Sequence, residues 1–164
     1  MNKATTASIN AVLPALRMAQ PTQGDGYLIV ARELLQALEP IASLSKVPPR
    51  AAALIAAHTL ECILKTYLWH KGKSKEIRKR DIQHDLLKLW CMAYDSNLDI
   101  ARTPPAWCKI LGSGHGPLFY FRYQEGENKT IVHGGQTPEM VSTIRDLKAL
   151  LRTVERSIRN TSPR

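Results

Sequence analysis

His58, Glu61 and Lys65 stand three and four residues apart in an otherwise apolar run, HTLECILKTYLWH. At helical spacing, side chains so placed project from adjacent turns of one face. A histidine, a carboxylate and an ammonium on one face can line a polar ligand. They can also close on one another as a buried network that fixes helix register, with Glu61 and Lys65 as an i,i+4 pair. Taken alone, the stripe reads as the network, because an unpaired buried charge costs on the order of several kcal/mol. The ligand-lining reading requires other polar groups to converge on the same face. His84 with Asp85, and Arg122 in an aromatic run, are the candidates.

A second constellation follows in the segment Arg78-Lys79-Arg80-Asp81-Ile82-Gln83-His84. Arginine paired with histidine suits metal-independent RNA cleavage. The imidazole moves a proton to or from the ribose 2′-OH or the leaving oxygen, and Arg78 or Arg80 stabilises the charge that gathers on phosphorus. The plainer reading is that Asp81 or the loop backbone caps the next helix and His84 hydrogen-bonds a neighbour. Lys73, Lys75 and Lys79 join the two arginines in a basic loop opposed only by Glu76. Such a loop is a solvated surface or a phosphate-binding one, and the second predicts affinity that falls steeply with salt. Tyr120 and Tyr123 beside Arg122 could stack a base, although core packing is the commoner use of aromatics. The glycine-rich run 112–116 does not match GxxxxGK, and no strand is predicted ahead of it.

The histidines and cysteines show no HExxH or paired Cys/His spacing, so neither a metal site nor a cofactor is expected. The three cysteines, in apolar contexts and without CxxC spacing, suit reduced buried thiols. A net charge of +9 in 164 residues, with pI near 9.7, favours polyanionic partners. Hydrophobic content of 44% and charged content of 23% are values of a globular domain. No signal-like apolar run opens the chain, and His58 and Glu61 interrupt the longest apolar stretch. No membrane association and a cytoplasmic location are therefore expected.

These residues need elements to hold them. Residues 1–25 read as a loosely ordered arm, 26–158 as the domain and 159–164 as a frayed tail. Leu28, Ala31, Leu34, Leu35, Leu38 and Ile41 predict a helix from about Asp25, its N-cap, to Ala42. Pro48-Pro49 starts a second helix reaching about Lys71, the central and most buried one. A third begins near Asp81. A short helix covers Ala106 to Leu111, and residues 112–117 form a loop. Leu118–Tyr123 and Thr130–His133, around Gly126-Glu127-Asn128, predict a β-hairpin. The last helix opens on Thr137 as N-cap with Pro138 at its first position. Met140, Ile144, Leu147, Leu151, Val154 and Ile158 form its apolar seam, beside a basic stripe of Arg145, Lys148, Arg152, Arg156 and Arg159. The sum is an all-α bundle of four main helices and one short one, with a single short hairpin before the last helix.

The order His58-x2-Glu61-x3-Lys65, then His84-Asp85-Leu86, then Phe121-Arg122-Tyr123 resembles the HEPN superfamily (higher eukaryotes and prokaryotes nucleotide-binding domain). The resemblance spans about Gly26 to Ile158 and implies a four- to five-helix bundle, commonly dimeric. Some members are metal-independent endoribonucleases with an arginine–histidine motif shared across the dimer, while others bind nucleotides or accompany nucleotidyltransferases. Arg78 and His84 have the family's separation, but Lys79 stands where a small polar residue is usual. Arg80 has the polar follower but lies too close to His84. The His-Asp-Leu context is more similar to the non-catalytic members. The resemblance thus implies a nucleotide- or RNA-binding homodimer, or a module working with a separate nucleotidyltransferase or antitoxin-like protein. Ribonuclease action through His84 with Arg78 or Arg80, and a plain helical interaction protein, stand as the alternatives.

Overall fold

The computed structural model describes residues 22–44, 46–116, 121 and 137–160. Among the described residues five α-helices carry the fold: α1 (Gln23–Ala42), α2 (Pro49–His70), α3 (Leu86–Asp95), α4 (Ala106–His115) and α5 (Met140–Arg159). The chain is an all-α bundle, with no strand among the described residues. The hairpin expected over residues 118–133 lies outside them, as do Arg122 and Tyr123. Phe121 is described, and it stands in a turn.

α2 is the axis and touches each of the other four helices. Its alanines 52, 53, 56 and 57 are fully buried, and their small side chains allow neighbouring backbones to come close. By length and mean hydropathy (1.2) α2 is apolar enough to cross a membrane, and 78% of that window is buried inside the bundle. Its buried hydroxyls are satisfied locally: Thr59 donates to the Ile55 carbonyl (2.8 Å) and Thr66 to that of Cys62 (2.9 Å). The Tyr67 hydroxyl donates to the Ser96 carbonyl (2.6 Å), tying α2 to the end of α3. The predicted seam of α5 packs inward, with Met140, Ile144, Leu147, Leu151 and Val154 buried. Arg32–Glu155 (2.6 Å) and Lys148–Glu39 (2.8 Å) join α5 to α1.

α2 and α3 end in the same way. Gly72 (φ 74) and Asn97 (φ 66) adopt the left-handed conformation. After α2, Gly72 N–H donates to Trp69 O and Lys73 N–H to Leu68 O. After α3, Asn97 N–H donates to Tyr94 O and Leu98 N–H to Ala93 O. Both are the paired bonds of a Schellman stop, and after α2 that stop turns the chain into the basic loop.

Several boundaries differ from the sequence expectation. α1 is capped by Thr22, whose side chain accepts from Asp25 N–H, and Asp25 lies inside the first turn. α3 begins at Leu86 instead of Asp81, because the Asp85 carboxylate accepts from the Leu87 (3.1 Å) and Lys88 (3.0 Å) amides. α5 is capped by Glu139 and not Thr137, since the Glu139 carboxylate reaches the Val141 and Ser142 amides at 2.7 Å each. The largest change is in α4, which runs through Gly112-Ser113-Gly114 to His115 where a loop was expected. Cys91 is exposed, while Cys62 and Cys108 are buried thiols.

Candidate functional site

α2 contributes His58, Glu61 and Lys65 from one face, as the spacing implies. Glu61 (3% exposed) and Lys65 (6%) are deeply buried, and Lys65 Nζ donates to Glu61 Oε1 at 2.7 Å. Two histidines from other elements converge on the second carboxylate oxygen. His115, the last residue of α4 and 1% exposed, places Nε2 2.6 Å from Glu61 Oε2. His84, in the turn before α3, places Nδ1 3.1 Å from the same atom. His84 is the way out, with 31% of its side chain exposed. His58 Nε2 lies 3.9 Å from Cys62 Sγ, and its ring centre is 6.3 Å from that of His115. The His84 and His115 rings meet edge to face at 6.1 Å.

Burial is the largest influence on Glu61 and pushes its carboxyl up. The hydrogen bond from His115, the charge and hydrogen bond of Lys65, and the bond from His84 together outweigh it and hold the group at about 2. Glu61 is therefore an ionised carboxylate that aims the Nδ1–H of His84 inward. A neutral His84 so oriented carries its lone pair on Nε2, the arrangement that a carboxylate imposes on an acid–base imidazole.

The remaining predicted site residues are distributed differently. Asp85 caps α3, and Lys88 Nζ lies 3.8 Å from its carboxylate. Arg78 donates to the Gln23 side chain at the start of α1, and Arg80 is exposed. Ile77 is buried beneath the loop, so Lys75, Arg78 and Lys79 stay on its surface. Lys73 pairs loosely with Glu76 at 3.9 Å. On α5, Arg152, Arg156 and Arg159 line an open cleft of about 570 Å³ with Ala149, Thr153 and Glu155. Glu155 is engaged by Arg32 (2.6 Å), and no ion pair joins the three arginines to a carboxylate among the described residues.

His115 is the residue that sequence reading missed. Its signal was the spacing of Cys108, Leu111 and His115, all buried on one face of α4. Comparison with known proteins brought no match to a family model, a curated protein or a solved structure.

Proposed function

We propose that this chain is a HEPN-like helical module that binds nucleotide or RNA through its basic surface, as a homodimer or with a separate partner such as a nucleotidyltransferase or an antitoxin-like protein. The observation that carries the reading is the set of exposed arginines on α5, Arg152, Arg156 and Arg159, without a carboxylate partner among the described residues. The exposed Lys75, Lys79 and Arg80 add to the positive surface. Support for the family assignment comes from the order of His58, Glu61, Lys65 and His84-Asp85-Leu86 within an all-α bundle. Arginines not held in an ion pair are available to phosphate, and each phosphate they neutralise releases bound counterions.

Fluorescence anisotropy with short single-stranded RNA and with nucleotides tests the reading. Binding should weaken linearly in log[salt], and Arg152→Ala with Arg156→Ala should lower the slope by about one for each phosphate that is no longer neutralised. Absence of binding at low salt would sink it. Size measurement in solution tests the homodimer separately.

One geometric fact favours a second reading, metal-independent RNA cleavage with His84 as acid–base and Arg78 or Arg80 as phosphate stabiliser. It is the 3.1 Å approach of His84 Nδ1 to the buried Glu61 carboxylate. Cleavage of RNA in chelator, abolished in His84→Ala, supports this reading. No cleavage at high protein concentration removes it.

A further inference from the structure

We propose that His58, Glu61 and His115 form a binding site for a divalent transition-metal ion of the zinc class, with one coordination position left for water. One potential donor atom from each residue lies within 4.8 Å of the other two. Around a tetrahedral ion with bonds of about 2.0–2.2 Å, donors stand roughly 3.3–3.6 Å apart. Closing the triad on an ion therefore takes side-chain adjustments of about an ångström or less. Two donors come from one face of α2 and the third from the end of α4, which is how helical bundles build metal sites between facing helices.

The chemistry of the donors selects the ion. Two imidazoles and a single carboxylate suit zinc-like ions, whereas magnesium and calcium prefer all-oxygen shells. Two histidines and one glutamate are also the set that leaves a fourth position open in catalytic zinc centres.

His115 is the most buried of the three ligands. It is 1% exposed, yet its Nδ1 has no hydrogen-bond partner among the described residues. That atom has no protein partner whether Nε2 bonds Glu61 or an ion, so the ligand position is set by Nε2. To bind a metal through Nε2, His115 must carry its proton on Nδ1 instead. That change of tautomer breaks only the 2.6 Å bond to Glu61 Oε2, and the ion takes the place of that bond. Glu61 needs no deprotonation, since it is already ionised.

Lys65 opposes the ion electrostatically. It sits on Oε1 at 2.7 Å, leaves Oε2 to the metal, and acts as the outer hydrogen-bond partner of a ligating carboxylate. The proposal is independent of the nucleic-acid reading, because none of its ligands belongs to the basic surface.

The test is titration of the untagged full chain, stripped with chelator, with Zn²⁺ by competition against a chromophoric chelator and with Co²⁺ followed by its visible d–d bands. One ion per chain is expected, with a tetrahedral Co²⁺ spectrum and affinity reduced more than about tenfold in His58→Ala and in His115→Ala. Absence of stoichiometric binding by the wild-type chain overturns the proposal, and so does unchanged affinity in either folded variant. Should a variant fail to fold, the Co²⁺ form of the wild-type chain still decides. Hyperfine-shifted imidazole N–H signals from two histidines support the site, and any other number overturns it.

Discussion

Replacing Glu61 by glutamine removes the charge on which its polar neighbours depend while keeping the shape. In the native chain Oε1 accepts from Lys65 (2.7 Å), and Oε2 accepts from His115 (2.6 Å) and His84 (3.1 Å). Glutamine offers one acceptor oxygen and puts an NH₂ where the other stood, so either Lys65 or the two histidines lose their acceptor. The Lys65 ammonium, with 7% of its side chain exposed, is then left without a countercharge. Removing one partner of a buried pair costs about 3–5 kcal/mol. The depressed carboxyl gives a similar figure by a separate route: about 2 instead of 4.5 corresponds to about 3 kcal/mol. Because the folded value is the depressed one, this stabilisation is fully present above 4.5 and fades as pH falls toward about 2.

Urea unfolding followed by far-UV circular dichroism, with chelator present to exclude metal, reads the effect. Glu61→Gln should lose about 3 kcal/mol near neutral pH, or roughly 6–12 °C in Tm for a chain of this size. The gap from wild type should narrow below 4.5. Glu61→Gln combined with Lys65→Met should recover most of the loss, since a buried ion pair replaced on both sides is often neutral. A loss under about 1 kcal/mol near neutral pH, or a gap that does not change in acid, would refute the keystone role of Glu61.

Other substitutions test the scaffold. A Cβ at Gly114 would run into the Phe121 ring, so Gly114→Ala should cost about 1–3 kcal/mol by overpacking beside His115, measured by the same urea titration. Asp85→Ala removes the two amide bonds that cap α3 and should cost about 1 kcal/mol, a loss that Asp85→Asn or Asp85→Ser largely avoids. A thiol reagent should modify exposed Cys91 quickly in the native chain, with Cys62 and Cys108 reacting only on unfolding. Burial above all pushes both thiols up to about 12, helped by the Glu61 charge at Cys62 and by Cys91 at Cys108. Rapid reaction of all three in the folded chain would contradict the packing of α2 and α4.

The elements most legible in the sequence are those whose burial repeats at helical spacing. Ala31, Leu35 and Leu38 in α1, the apolar run of α2, and the Met140-to-Val154 seam of α5 all pack where periodicity placed them. Glu61 and Lys65 pair as their i,i+4 spacing implied, and His84 joins them as a candidate partner. Helix starts were less legible. Several side chains near each start could serve as caps, and the choice depends on which oxygen reaches which amide in three dimensions. His115 was hidden for a different reason. Two glycines within four residues argue locally against helix, but here they serve close packing, Gly112 against Leu87 and Gly114 against Phe121. Tertiary packing overrode local propensity at the point where the site acquires its most buried histidine.

The second oxygen of Glu61 connects these readings, because it has competing uses. In the hydrogen-bonded network it orients His84 and anchors His115. An ion bound to the same oxygen takes the place of the His115 bond and draws off the negative charge by which the carboxylate holds His84. Occupancy of the triad by metal therefore opposes acid–base work by His84. Any RNA cleavage by this chain should be greatest in chelator and should fall as Zn²⁺ fills the site, with half-inhibition at the Kd measured by metal competition. RNA affinity carried by Arg152, Arg156 and Arg159 should not change over the same titration, because those arginines lie on α5 and have no bond to the cluster. Cleavage that rises with Zn²⁺ would instead place the ion in the chemistry and remove His84 as its metal-free base.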